Sequence, residues 1–384
     1  MKKAIGNLYL SALALNLAFI SCSTKEQAIE DQSWEKVSFA TVNLIGELPE
    51  IPDQLSLDGI VTDPFFDDFP FDLASAVEPS ECGPTTFDTV ISQSVSSNLD
   101  ALGAQWFSLW STVNQLYTFI DEDPQFFGAD GEYTNYMAKR TRNLEKFWNM
   151  PGEITVRGQH NSTLGNRDKI ALVYIVFAGL PEEIAYANAD FFLAVNEAST
   201  FLIESPLLSF DGFASSSNLI VIGDGLVELA SEAGVEDKVV WSGILSHEWA
   251  HQIQFDNFPV WYPDGAADNE PEATRTTELE ADFFASYYMT HKGGATYNWK
   301  RAEDFFELFF NIGDCSFTNP GHHGTPIQRM EAARQGYLLA QSASSQGHIL
   351  SPDDVHAIFL NTLDTIITGG DVVVKAIDST GANM

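Results

Sequence analysis

The segment Ser246-His247-Glu248-Trp249-Ala250-His251 sets two histidines four residues apart, with a glutamate directly after the first. On a helix, side chains at i and i+4 stand one above the other, so both imidazoles address one point, as a tetrahedral metal requires. Glu248 falls beside that point and displaced from it, where a carboxylate can hold a metal-bound water and take its proton. Zinc lowers the pKa of such a water to ~7, which makes hydroxide available at neutral pH. Two ligands leave the coordination incomplete, because a catalytic zinc takes three from the protein and keeps one position open.

The third ligand is expected downstream, in Thr276–Tyr288, where three acids compete: Glu278, Glu280 and Asp282. Glu278 and Asp282 are four apart and share a helix face, whereas Glu280 points roughly 200° away from Glu278. With Glu278 on the metal, Asp282 comes alongside the histidines and can accept the free ring N–H of a ligand imidazole, fixing its tautomer. This reading makes Glu278 the ligand, Asp282 its support and Glu280 a solvated surface acid. One zinc per chain is the implied cofactor.

These side chains need elements to hold them. Val240, Ile244 and Leu245 give the His247 helix, expected over Asp237–Phe255, an apolar side. Thr274 is the expected N-cap of the Glu278 helix, and Leu279, Phe283, Ser286 and Tyr287 its buried stripe. In His323–Arg329, Thr325 is a good N-cap and Pro326 a good first helical residue, with the helix running to about Ala343. His323 sits just outside that start, where it can face a cleft. Upstream, apolar residues from Phe87 to Ile120 recur at three- and four-residue steps and predict one long helix bent at Gly103. Further helices are expected at 136–148, 168–178, 182–202 and 226–233. Short strands are expected at 153–158 and 218–225. His160, His291, His322 and His356 have no ligand spacing and read as surface or core histidines.

The segments HEWAHQIQ, ELEADFFASYY and HGTPIQR together resemble the neutral zinc metallopeptidase family, which carries HE-x-x-H-x-x-Q, EL-x-AD-x-x-A and HGT-x-x-QR in the same order. They are also similar to the CAAX-prenyl-protease type. The resemblance covers only about His247 to Arg329. It implies a peptidase that hydrolyses peptides or unfolded protein, with His323 supporting the oxyanion and Arg329 pairing with an acid of the Glu278 helix. The implied fold is α+β: a predominantly helical, zincin-like domain with a small sheet beside the HExxH helix. An edge strand of that sheet would hold an extended substrate by strand addition.

The chain has 54 acidic against 19 basic residues and a net charge of −35, a surface that repels nucleic acid and anionic lipid headgroups. Its first residues, a short basic start and an apolar run of about Leu8–Ile20, read as a secretory signal. Phe19-Ile20-Ser21-Cys22 resembles a bacterial lipobox, which implies acylation of Cys22 and an exported lipoprotein, outer-membrane and facing the periplasm or cell surface. Membrane contact would then be through lipid alone. Cys82 and Cys315 remain as a disulfide or as two buried thiols. The expected organisation is signal at 1–21, tail at 22–85, metallopeptidase domain at 86–345 and a C-terminal helix and tail at 346–384. The alternative is a non-enzymatic zinc-containing surface lipoprotein that binds a protein or nutrient partner.

Overall fold

The computed structural model describes residues 84–98, 100–199, 202–267, 269–297, 304, 307–309, 311–313, 322–344 and 347–368. The expected signal and all but the last two residues of the expected tail, with Cys22, Cys82 and Cys315, lie outside the described residues. The chain enters through helices α1 (Thr86–Asn98), α2 (Ala101–Ile120) and α3 (Thr134–Trp148). Strand β1 (Thr155–Gln159), helices α4 (Arg167–Ala178) and α5 (Glu182–Ala198), and strands β2 (Gly212–Ser215) and β3 (Leu219–Gly223) follow. Helices α6 (Asp224–Glu232), α7 (Asp237–Trp261), α8 (Glu270–Thr290), α9 (Pro326–Ser344) and α10 (Pro352–Thr368) complete the described elements. The fold is α+β, mostly helical with a small sheet.

The sheet order is β1-β3-β2, with β1 parallel and β2 antiparallel to β3. A strand buried on both faces reads as a continuous apolar run, and Leu-Ile-Val-Ile of β3 is such a run, buried throughout. Strand β2 went unforeseen, because Gly-Phe-Ala-Ser carries neither alternation nor β-branched residues. Both β2 and β3 pack on α7. Gln252 of α7 ties the two together, its amide donating to the carbonyls of Ser215 (3.0 Å) and Leu219 (3.1 Å). All four residues of β2 are buried, and Phe119 stacks on Phe213. The expected open edge for strand addition is therefore not present along β2.

The single helix expected over Phe87–Ile120 is two, because Asp100 starts α2 afresh by accepting from the Gly103 N–H at 2.6 Å. The stop is a cap, not a bend at Gly103. The core behind the sheet and α7 is aromatic. Trp110 of α2 stacks on Phe192 of α5, and Trp241 and Trp249 are buried on α7.

Helices α7, α8 and α9 form the layer that matters for the site, with α8 in the middle. Asn269, and not Thr274, caps α8; its side chain accepts from the Glu272 N–H at 3.1 Å, and Thr274 lies inside the helix. At Thr325 the expectation holds. Its hydroxyl accepts from the Gln328 N–H (3.2 Å) while the Gln328 amide oxygen accepts from the Thr325 N–H (3.1 Å), a reciprocal capping box. Gly336 lets α9 approach α8 closely, since a Cβ there would lie 2.2 Å from the Phe283 carbonyl oxygen. Every residue of α8 from Ala273 to Thr290 is buried.

Candidate metal centre

Helix α7 brings His247 and His251 onto one face, with their Nε2 atoms 3.1 Å apart. Glu278 comes from α8, its Oε2 at 3.2 Å from His247 Nε2 and its Oε1 at 3.3 Å from His251 Nε2. Bonds of ~2.0–2.1 Å at tetrahedral angles put neighbouring donors ~3.3 Å apart, close to the separation of the two imidazoles from each other and of each from one oxygen of the carboxylate. His247, His251 and Glu278 are a group that could hold a metal ion, as their spacing on the two helices led us to expect.

The bonds behind these donors fix which ring nitrogens face the centre. Asp282 Oδ1 lies 2.9 Å from His247 Nδ1. A carboxylate only accepts, so the proton sits on Nδ1 and leaves Nε2 for a metal. Arg329 of α9 clamps the same carboxylate, donating from Nε at 2.7 Å and from Nη2 at 2.8 Å, and its Nη2 also stands 3.5 Å from Glu278 Oε2. The pairing of Arg329 with an acid of the Glu278 helix is thus with Asp282 first. His251 Nδ1 meets the Gln254 amide oxygen at 2.7 Å.

Glu280 is not a solvated surface acid. It is fully buried, and accepts from Gln254 Nε2 and the Tyr262 hydroxyl (both 2.9 Å) and from His356 Nδ1 (2.6 Å). It does point away from Glu278, but the end of α7, with Gln254 and Tyr262, and α10, with His356, cover that side in place of water. Gln254, Tyr262 and His356 were not singled out as supporting residues. A glutamine three residues after a ligand histidine, on the same helix face, was the signal available for the first. Tyr262, at the C-cap of α7, and His356, on α10, left none.

No family model, curated protein or solved structure matches the chain.

Glu248 is buried and lies under β2, where a Cβ on Gly212 would stand 3.8 Å from its Oε1. Burial pushes its carboxyl above the usual range, against the pull of the His247 and His251 charges. Burial acts the same way on Glu278, but the charges of His323, His251 and His247 outweigh it and hold that carboxyl well below the ordinary value. Burial lowers His251, and the neighbouring Glu278 carboxylate more than reverses this, taking it to about 10 in the metal-free protein. His323 is buried, and its effect on Glu278 places it within electrostatic reach of the centre.

His247, Glu248 and Arg329 line a pocket whose other walls are apolar, among them Leu226, Ile244, Phe309 and Ile312. Of the remaining histidines, His160 pairs with Asp224 and stacks on Phe126, and His291 contacts the His348 carbonyl, both away from the centre. Among the described residues no helix is long and apolar enough to cross a membrane.

Proposed function

We propose that the protein is a zinc-dependent metallopeptidase that hydrolyses peptide bonds in peptides or unfolded protein, with Glu248 as general base. The observation that carries this reading is the three-donor group of His247, His251 and Glu278 with Glu248 beside it. Three protein ligands suit a catalytic site, which keeps a position open, better than a structural one, which takes four. The three segments that resemble the neutral zinc metallopeptidase family supply most of these residues, and they support a zincin-like fold.

His247, His251 and Glu278 would hold the zinc, which supplies a Lewis acid for the scissile carbonyl and a water made acidic enough to ionise near pH 7. Glu248 is placed to take a proton from the attacking water and to return it to the departing amine. His323 supports the developing oxyanion, and Arg329 keeps Asp282, and through it His247, in place. The apolar pocket walls exclude bulk water, which strengthens each of these interactions. By this reading the chain is exported and anchored by lipid on Cys22.

The test is zinc content and cleavage of unfolded protein by the chain from residue 23, beside Glu248→Gln and Glu278→Ala. The reading expects zinc near one per chain, lost with Glu278→Ala and kept without turnover in Glu248→Gln. Zinc held without any cleavage by the parent would favour the alternative, a lipoprotein that uses the ion to bind a partner. The enclosure of the centre is the observation on that side, because Glu248 is only 2% exposed.

A further inference from the structure

The buried cluster around Glu280 lies outside the metal-donor set, and the mechanism above gives it no part. Gln254 connects the two. Its Nε2 lies 2.8 Å from the Thr277 carbonyl oxygen and 2.9 Å from Glu280 Oε2. A carbonyl oxygen cannot donate, so that end of the amide must be the NH2 group. The amide oxygen is then the end that faces His251 Nδ1, which must carry a proton, so Nε2 is the nitrogen left for a metal to take. Orientation thus passes from Glu280 to Gln254 to the tautomer of His251.

Glu280 is itself held from the far side. The Tyr262 hydroxyl shares Oε2 with Gln254, and His356 of α10 donates to Oε1. His356 lies flat on the Trp261 ring, centroids 4.3 Å apart and planes within 5°. Trp261 in turn donates from Nε1 to Asp353 at 2.8 Å, so the last turn of α7 and the first turns of α10 are pinned together. Each polar atom of the Glu280 carboxylate has a donor, and the group is fully buried, so its geometry has little freedom.

We propose that Glu280 is a positioning residue for the His251 ligand, acting through Gln254 and fixed in turn by His356 of the C-terminal helix. The two histidines then have matched supports of different kinds: a carboxylate held by Arg329 behind His247, and an amide held by a carboxylate behind His251. The proposal rests on the metal reading of the centre. Partners behind a ligand histidine set metal affinity by roughly 10- to 100-fold.

The experiment is a double-mutant cycle on the full chain, with zinc affinity measured by chelator competition and the exchange rate of the His251 Nδ1 proton measured by NMR without metal. Glu280→Gln is expected to weaken zinc about tenfold, and Gln254→Met by about 10- to 100-fold. The double variant should be no weaker than Gln254→Met alone, because Gln254 is the residue that joins Glu280 to His251 among the described residues. A purely structural role would instead give losses that multiply, and that result overturns the proposal, as does parental affinity in Glu280→Gln. If Glu280→Gln does not fold, Tyr262→Phe removes one of the three donors to the same carboxylate and enters the same cycle. If the parent takes no zinc, yet its Nδ1 proton exchanges faster in Glu280→Gln, the metal reading fails and the positioning role stands. If the parent binds zinc and its Nδ1 proton is indifferent to Glu280→Gln, the positioning role fails and the metal reading stands.

Discussion

Arg329 reaches from α9 to Asp282 on α8 with two parallel N–H bonds, of 2.7 and 2.8 Å, and both side chains are buried. The geometry is bidentate and needs a planar fork, so lysine cannot replace it. Asp282→Ala should destabilise the protein by about 3–5 kcal/mol, since it takes the bidentate carboxylate away from a buried guanidinium. Urea unfolding of the metal-free protein measures this. Asp282→Asn keeps the shape and should instead weaken zinc by roughly 10- to 100-fold.

Glu248→Gln keeps volume and hydrogen-bonding capacity but removes the base. Turnover should fall by about 10²–10⁴-fold or more, with zinc content unchanged. Steady-state cleavage of an unfolded protein, read beside metal analysis of the same sample, decides it. Full activity in this variant would remove Glu248 from the mechanism.

Zinc binding should release protons and weaken as pH falls. Burial alone would lower His251, but the Glu278 carboxylate overcomes it and raises the imidazole to about 10 in the metal-free protein. Below that value the imidazole carries a proton that an entering cation must displace, so affinity rises with pH until about 10. Each proton displaced costs about tenfold in apparent affinity per pH unit. Calorimetric titrations in buffers of different ionisation enthalpy count the protons; no dependence on buffer would contradict the raised value.

Gly336→Ala tests the approach of α8 and α9. The added Cβ would stand 2.2 Å from the Phe283 carbonyl oxygen, so the helices must part at the residue beside Asp282. Overpacking of this kind costs about 1–3 kcal/mol. The thermal midpoint should drop, and zinc should bind more weakly, because the Asp282–Arg329 clamp spans the same gap. An unchanged midpoint would show that the layer yields without cost.

Local spacing made much of the centre legible. His247, His251, Glu278 and Asp282 follow from i to i+4 geometry on two helices, and the Thr325-Pro326 start followed from capping chemistry. The parts that escaped depend on where a whole helix sits. Helical rotation separated Glu280 correctly from Glu278, but no local rule says whether the opposite side of a helix meets water or another layer. Strand β2 escaped for a similar reason: Gly212 and Ser215 are buried by α6 and α7 around them, not by any pattern of their own. The two-helix form of 86–120 was visible in Asp100, whose cap outranks a continuous apolar stripe.

The enclosure of α8 bears on the order in which the molecule can be built. From Ala273 to Thr290 that helix has no side toward solvent, yet it carries Glu278, Glu280 and Asp282. Three carboxyl groups cannot leave water until their partners arrive from α7 before them and from Arg329 and His356 after them. A chain emerging from its N-terminus therefore presents both histidines long before it can assemble their support. The frame of this centre is complete only with α10, and a chain still short of that helix holds its two imidazoles without the His356 support of Glu280.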